Sequence, residues 1–224
     1  MADYTSPEHH PAFEEYCECI FELCEDGTKV IQARIAERLG VSRPAVSEMI
    51  KKLQEEKLVK IDGQEIVLTS QGHTLASVMV RRHRLAERFL TDILGLSWAQ
   101  AHHEAGKWEH VISPEVEKSI VDKLSNPTTC PHGNPIPGSG YVEPAGSVSL
   151  ATIQENMSAI ICRITEELEF APGTLEYLEQ NKIIPSAIAL VKSVGPDGTL
   201  NILIDNDSIA LSKFISERIL VQPV

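Results

Sequence analysis

The sequence predicts a mainly α-helical protein with a smaller β-rich part, and three features of the chain support this prediction. Apolar residues recur at helical spacing through most of the first 125 positions. A segment rich in proline and glycine follows at 126–146, which predicts an extended, semi-rigid linker. Five short, largely apolar runs come after it and predict the strands of a small barrel: VSLATI, SAIICRI, AIALVKSV, LNILID and ISERILVQ.

The composition is that of a globular chain, with 42% hydrophobic and 23% charged residues among 224. No apolar run approaches the roughly 20 residues that span a bilayer, and Met1–Pro11 lacks a signal-peptide pattern. We therefore expect a cytoplasmic protein without membrane contact. The five cysteines are scattered and odd in number, which favours reduced thiols, and no CxxC pair indicates a structural zinc site.

Two helices and a tight turn are predicted near the N-terminus, after a first helix at 13–25. The second helix covers 30–39, and the third begins after Ser42, whose hydroxyl is suited to cap a free backbone N–H. Pro44 falls in the first turn, where its missing N–H costs little, and the helix continues to about Glu56. This order predicts a helix-turn-helix.

The next residues, VKIDG and QEIVLT, alternate apolar and polar side chains around a turn at Asp62-Gly63. A helix-turn-helix followed by a hairpin is a winged helix. The alternative is a helical hairpin beside a β-hairpin with no role in DNA binding. We favour DNA binding because Ser-Arg-Pro-Ala-Val-Ser stands where a recognition helix would enter a major groove.

Local charge supports this choice although the formal net charge of the chain is −12. Between Lys29 and Lys60 there are eight basic and four acidic residues, so this segment is net positive. A small basic face on an acidic body is typical of a domain that docks on DNA.

Three further helices are predicted at 72–95, from Trp98 to Ile112, and from Pro114 onward. Their aliphatic faces are wider than packing within one monomer requires, which indicates a dimer interface.

Histidine and carboxylate side chains recur at helical spacing in the same region. His83 and Glu87 are four residues apart, and the first helix adds Glu15 and Glu18. A second set shares one face of the next helix: His102, Gly106, Glu109 and His110. Any one of these fits a surface residue or an ion pair, but the whole set favours a divalent transition metal.

Four segments of the chain carry a resemblance to a known family: QARIAERLGVSRPAVSEMIKKL, RRHRLAERFLTDILGL, HHEAGKWEHVIS and HGNPIPG. With them the chain resembles the diphtheria-toxin-repressor family of metal-dependent transcriptional repressors, which includes iron and manganese sensors. The resemblance implies a winged helix-turn-helix DNA-binding domain at 1–76 and a helical dimerisation and metal-binding domain at 77–125. A linker at 126–146 and an SH3-like, FeoA-like domain at 147–224 complete the predicted fold.

The resemblance also implies metal ligands. His83, Glu109 and His110 match primary-site ligands. Glu15 stands where iron-type members have Met and manganese-type members have Asp, and Glu18 where manganese-type members have Glu.

Gly106 departs from the family, because it stands where members have Cys or Glu and offers only its carbonyl. An ancillary site is implied at His83, Glu87 and His102. The third-domain ligand position falls near Glu166, Glu167 and Glu169 without a clear alignment.

The expected cofactor is Mn²⁺ or Fe²⁺, with Mn²⁺ favoured, because the predicted ligands are carboxylates and imidazoles with no thiolate or thioether. The expected partners are double-stranded operator DNA and a second copy of the chain. The residues predicted to contact bases are Ser42, Arg43, Pro44, Ala45, Ser47 and Glu48, and those predicted to contact phosphates are Gln32, Arg34, Lys51 and Lys52.

Three other functions are weighed against a metal-activated repressor. A metallohydrolase using Glu87 or Glu104 as its base is disfavoured, because the chain has no HExxH, nucleophile elbow or phosphate loop. A winged-helix regulator that senses an organic ligand predicts DNA binding without metal. A metal-buffering protein would not need the basic segment at 29–60.

Overall fold

Three hydrophobic cores lie along the chain in the computed structural model, which describes residues 11–224. The first is built from residues between Tyr16 and Ala76, the second from residues between Leu85 and Ile136. The third joins Trp98 to residues between Leu150 and Val221. The N-terminal segment that is expected to lack a signal pattern falls almost wholly outside the described range.

The first core holds a winged helix-turn-helix, as predicted. Its elements are α1 (Pro11–Glu25), α2 (Gln32–Leu39), α3 (Arg43–Glu55), β1 (Val59–Asp62) and β2 (Glu65–Leu68). The Ser42 hydroxyl caps α3 by accepting from the Ala45 N–H at 3.3 Å. Asp62 pairs with Glu65, so the hairpin turn is Gly63-Gln64 rather than Asp62-Gly63, and Gly63 takes the positive φ of 62°.

Three helices follow: α4 (Ser70–Asp92), α5 (Trp98–Trp108) and α6 (Pro114–Lys123). Hydroxyl caps fix their starts, since the Thr69, Ser97 and Ser113 side chains each accept from a backbone N–H in the first turn. α5 ends at Trp108, four residues before the predicted end at Ile112. Glu109 and His110 therefore lie at the helix terminus, where their side chains reach α1 and α4.

The C-terminal part is one antiparallel sheet with short helices. Its elements are β3 (Val148–Ser149), β4 (Ser158–Ile164), α7 (Glu166–Glu169), α8 (Thr174–Gln180), β5 (Ile188–Val194), β6 (Leu200–Ile204), β7 (Asp207–Leu211), α9 (Lys213–Ser216) and β8 (Ile219–Pro223). The strand order is β3-β8-β4-β5-β6-β7. All five predicted runs contribute a strand, whereas β7 was not predicted because polar residues at 205–208 conceal its alternation.

The proline- and glycine-rich segment differs from the predicted linker. It contains no helix, but Cys130, His132, Asn134 and Ile136 are fully or almost fully buried. The His132 carbonyl accepts from the Ile164 N–H at 2.9 Å, which ties the segment to β4. Gly133 has a φ of +90°, and a Cβ there would lie 2.3 Å from the Cys162 carbonyl oxygen. The first half of the segment is thus a packed connection between two cores.

Candidate metal centre and nucleic-acid interface

Ligand-type side chains from four elements converge where the three cores meet. α1 contributes Glu18, and α4 contributes His83 and Glu87 one helical turn apart. α5 and its C-terminal turn contribute further groups, and so does the packed connection. Among residues 11–224 the ligand atoms form three overlapping triads, each with its atoms within 4.8 Å of one another.

The first triad is Glu18, His83 and Glu109, and all three residues are buried. His83 Nδ1 lies 2.5 Å from Glu109 Oε2. Because Glu18 belongs to the winged-helix domain and the other two residues to the helical domain, a cation here would join the two domains.

The second triad is His83, Glu87 and His102. His102 Nδ1 lies 3.0 Å from Glu87 Oε1 and 3.2 Å from His83 Nε2. His83 therefore serves both triads, with Nδ1 toward the first and Nε2 toward the second.

The third triad is Glu87, Cys130 and His132, and all of it is buried. His132 Nδ1 lies 3.7 Å from both Cys130 Sγ and Glu87 Oε2. A cysteine thiol that sequence analysis did not consider as a ligand therefore stands beside Glu87, and burial raises the pKa of this thiol. The signal for it was a Cys-Pro-His sequence that leads into HGNPIPG, in a segment that was interpreted as a family motif and a linker but not as a source of ligands.

The three carboxylates near the expected third-domain position have different partners. Glu169 Oε2 lies 3.2 Å from His102 Nδ1 and 3.0 Å from His132 Nδ1, at the junction of the second and third triads. Glu166 pairs instead with Arg84 at 2.8 Å, and Glu167 with Arg218 at 2.8 Å. Of the three, Glu169 alone contacts the imidazoles of the triads.

Glu15, Gly106 and His110 line a cavity of about 260 Å³ beside the first triad. Glu15 is exposed, whereas the neighbouring Glu14 is buried and lies 2.8 Å from His110 Nδ1 through Oε2. Sequence analysis missed Glu14, since adjacent positions near the start of a helix are hard to separate by spacing. A Cβ on Gly106 would have nothing within 4 Å, so the place of the missing ligand is open.

The electrostatics of the triads favour an added positive charge. Burial opposes the imidazolium of His83, but the carboxylates of Glu87 and Glu109 raise the pKa of His83 well above its usual range. Against the same effect of burial, hydrogen bonds to Glu169 and Glu87 raise the pKa of His102 to about 10. Burial, followed by the charge of Glu109, raises the pKa of Glu18 well above normal. The cluster therefore holds protons where a cation would replace them.

Two orphaned oxygens show that a cation fits this cluster. Glu18 Oε1 and Glu87 Oε2 are buried and accept no hydrogen bond from any residue between Pro11 and Val224. Such an atom costs about 1–3 kcal/mol unless something replaces the lost water. Each belongs to a different triad, and the available donors are oxygen, nitrogen and one sulfur, as divalent transition metals require.

The predicted DNA-contacting residues lie on an accessible face around α3. Those that are exposed are Arg34, Ser42, Arg43, Pro44, Ala45, Glu48, Lys51 and Lys52, while Gln32 and Ser47 are half-buried. Lys52 pairs with Glu48 at 2.8 Å, and Arg34 with Glu37 at 3.0 Å. Both pairs are solvent-exposed and hold their partners weakly. None of the helices between Pro11 and Val224 combines the length and apolar character needed to cross a bilayer.

Comparison with known proteins identifies domains along almost all of the chain. Residues 10–66 match the N-terminal DNA-binding domain of iron-dependent repressors, and residues 69–138 match their metal-binding and dimerisation domain. Residues 148–223 match the FeoA domain.

Individual relatives agree with these domain matches. The iron-dependent repressor IdeR of Mycobacterium tuberculosis is 33% identical over 222 residues, covering 94% of this chain and 96% of that protein. The diphtheria toxin repressor of Corynebacterium diphtheriae is 46% identical over 126 residues, 56% of each chain. A solved manganese-dependent transcriptional repressor in complex with manganese superposes with a TM-score of 0.84 at 32% identity, covering 95% of this chain and 100% of that one. The chain therefore belongs to the diphtheria-toxin-repressor family of iron- and manganese-dependent transcriptional repressors, as its sequence motifs predicted.

Proposed function

We propose that this protein is a homodimeric repressor that binds operator DNA when Mn²⁺ or Fe²⁺ occupies the triads. The observation that carries the proposal is the continuity of the three triads through His83 and Glu87. They run from α1 of the DNA-binding domain, through α4 and α5, to the connection that leads into the C-terminal sheet.

The residues proposed to hold metal are those of the triads together with the family-matched positions beside them: Glu15, Glu18, His83, Glu87, His102, Gly106 (through its carbonyl), Glu109 and His110, with Cys130, His132 and Glu169 added from the structure. A bound divalent cation supplies positive charge and short, directional bonds to these groups. Glu18 would then hold α1 at a fixed distance from His83 and Glu109. Oxygen and nitrogen ligands in the first two triads suit Mn²⁺ or Fe²⁺, and Cys130 adds a softer donor in the third.

Fixing α1 matters because the rest of the DNA-binding domain follows it. In a dimer, two recognition helices reach successive major grooves only when they stand about 34–36 Å apart. Ligation across the domain boundary favours one interdomain arrangement and so shifts the population toward it. Exposed apolar side chains on the helical domain are available for dimer contact: Ile93, Leu94, Val111 and Val116.

On the DNA-binding domain, we assign base contacts to Ser42, Arg43, Pro44, Ala45, Ser47 and Glu48. The proposed phosphate contacts are Gln32, Arg34, Lys51 and Lys52. Such a repressor acts on chromosomal DNA in the cytoplasm and has no catalytic step.

The test is DNA binding by the full chain, measured by mobility shift without metal, with Mn²⁺, and with Fe²⁺ under anaerobic conditions. The probes are the protein's own promoter region and a pool of random-sequence duplexes, from which bound DNA is amplified and rebound. We expect metal-dependent binding that His83→Ala abolishes, because this residue serves two triads. His73→Ala is the control, since His73 lies exposed on the same helix. Equal binding without metal would instead indicate a regulator that senses an organic ligand, and absence of enrichment with either metal would contradict DNA binding.

A further inference from the structure

An unbroken chain of contacts leads from the imidazoles of the metal centre back to the DNA-binding domain. It begins at Glu169, whose two carboxylate oxygens have different partners. Oε2 faces His102 and His132 at 3.2 and 3.0 Å, and Oε1 accepts a hydrogen bond from Asn134 Nδ2 at 2.6 Å. The orientation of one carboxyl group is therefore shared between the candidate metal centre and an amide outside it.

The side-chain amide of Asn134 bridges Glu169 and Arg163, and it can do so in only one orientation. Its Oδ1 accepts from Arg163 Nε at 2.5 Å, while its Nδ2 donates to Glu169. Rotating the amide by 180° would place its oxygen against a carboxylate and its NH₂ against a guanidinium. Asn134 is fully buried and Arg163 nearly so, so water does not compete for these bonds.

Arg163 completes the chain at the C-terminal end of α1. Its Nη2 donates to Glu25 Oε2 at 2.9 Å and to Asp26 Oδ1 at 2.7 Å. Asp26 Oδ2 also accepts from the Glu167 N–H at 3.3 Å. The C-terminal domain thus holds the end of α1 through a guanidinium and a backbone amide.

We propose that Asn134 and Arg163 are positioning residues that couple occupancy of the metal centre to the DNA-binding domain. This rests on the proposed function, because it concerns how that centre acts. When Glu169 Oε2 is a ligand, the plane of its carboxyl group is fixed, and with it the amide of Asn134 and the guanidinium of Arg163. The end of α1 is then held in the arrangement that the ligated state favours. Neither side chain hydrogen-bonds to a member of the three triads or to the recognition helix; only the Asn134 backbone carbonyl does so, by accepting from the Cys130 N–H at 2.9 Å.

A purely structural role makes a different prediction from a coupling role. Structural residues would weaken DNA binding equally with and without metal. Coupling residues lower the ratio between the two affinities, since that ratio measures the free energy linking the two sites. Spatial continuity alone does not establish coupling, so the ratio is the required readout.

The experiment compares wild type, Asn134→Leu, Arg163→Met and the double variant, all as full chains. Mn²⁺ affinity is measured by the electron paramagnetic resonance signal of free Mn²⁺. DNA affinity is measured by fluorescence anisotropy, without and with saturating Mn²⁺, on a duplex selected with the wild type. Arg218→Met is the control, because it removes an ion pair with the side chain of Glu167 inside the C-terminal domain and leaves in place the Glu167 N–H that donates to Asp26. Arg163→Lys keeps the positive charge but loses the forked geometry of the guanidinium donors. It replaces Arg163→Met in the experiment if that variant does not fold.

We expect Mn²⁺ affinity within about threefold of wild type in both single variants, because the other ligands remain. The Mn²⁺-dependent gain in DNA affinity should fall by about tenfold or more, within the usual range of allosteric coupling. The double variant should lose no more than either single one, because both residues belong to one chain of contacts. A full Mn²⁺-dependent gain in folded single variants would overturn the coupling, as would a loss matched by Arg218→Met. If wild type itself shows no gain with Mn²⁺, the proposed function fails rather than the coupling alone.

Discussion

The two halves of α1 present the same chemistry to two different kinds of partner. Carboxylates recur along one face at Glu14, Glu18 and Glu22, which are buried, and at Glu25, which is half-buried. In the N-terminal half, Glu14 lies 2.8 Å from an imidazole of His110, and Glu18 joins the first triad. In the C-terminal half, Glu22 lies 3.3 Å from the guanidinium of Arg38, and Glu25 lies 2.6 Å from that of Arg84.

The C-terminal half of α1 is thus permanently attached, whether or not metal is bound. In the proposed function, the attachment of the N-terminal half is conditional, because it depends on metal. Guanidinium groups stay protonated in proteins, so the C-terminal half is neutralised with or without metal. The imidazole of His83, whose pKa is raised by Glu87 and Glu109 against the effect of burial, can exchange its proton for a cation, so the carboxylate of Glu18 faces a positive charge in either case. Under the proposed function, one helix is held constantly at its C-terminal end and in response to metal at its N-terminal end.

Removing Arg84 should have the largest effect, because it breaks the permanent attachment. Its side chain is fully buried and contacts Glu25, Glu166 and the Pro135 carbonyl, so three segments lose a common partner. Arg84→Met should lower the free energy of unfolding by about 3–5 kcal/mol, since buried carboxylates are left uncompensated. Urea unfolding without metal measures this. By contrast, His110→Ala, at the conditional end, should change the free energy of unfolding without metal by less than about 1 kcal/mol.

The imidazoles of the metal centre should make Mn²⁺ binding depend on pH. The pKa of His102 is raised to about 10, so its imidazole is protonated in the metal-free protein at neutral pH. A bound cation requires neutral imidazole, so binding releases a proton and affinity rises with pH below about 10. We expect Mn²⁺ affinity to increase about tenfold per pH unit between pH 6 and 8 for each proton released. Calorimetry in buffers of different ionisation enthalpy counts the protons, and a count near zero would contradict the assignment.

The same contrast explains which features were predictable from sequence. Caps and helical periodicity are local, so the first five helices and the start of the sixth were predicted to within about four residues, whereas the four-residue helices α7 and α9 were not predicted. His83 with Glu87, and His102 with Glu109, share helix faces for the same reason. Local spacing did not distinguish Glu14 from Glu15, whose side chains point to different sides of α1.

Residue spacing along the chain does not predict contacts between segments that are distant in the sequence. Cys130 and His132 were hidden in a segment whose proline and glycine content predicts a linker, although the fold buries it. Arg163 reaches Glu25 across more than a hundred residues, and no local pattern records such a pairing. The C-terminal strands were predicted from alternation, but not the face that Glu169 presents to the imidazoles.

Gly106 offers a smaller test, confined to the conditional end. A Cβ at this position meets open space beside the first triad, so Gly106→Cys should add a ligand without displacing any neighbour. A thiolate is a soft donor, so we expect Mn²⁺ affinity to change by less than about tenfold and Zn²⁺ or Cd²⁺ affinity to rise more. Gly106→Ala is the control, because it also replaces the helical glycine, which gains about 1 kcal/mol of helix propensity, without adding a ligand; cysteine gains less than alanine.

The change in metal preference is measured by competition: Zn²⁺ or Cd²⁺ is added to the Mn²⁺-loaded protein, and the Mn²⁺ that it releases is monitored. If the cysteine and alanine variants rank metals identically, the space beside Gly106 does not face the bound cation. Metal-free stability should differ between these two variants by no more than their helix propensities, about 0.7 kcal/mol or less, because the guanidinium-held half of α1 does not contact this position. A cysteine variant that alters metal ranking without altering metal-free stability would separate the two ends of the helix experimentally.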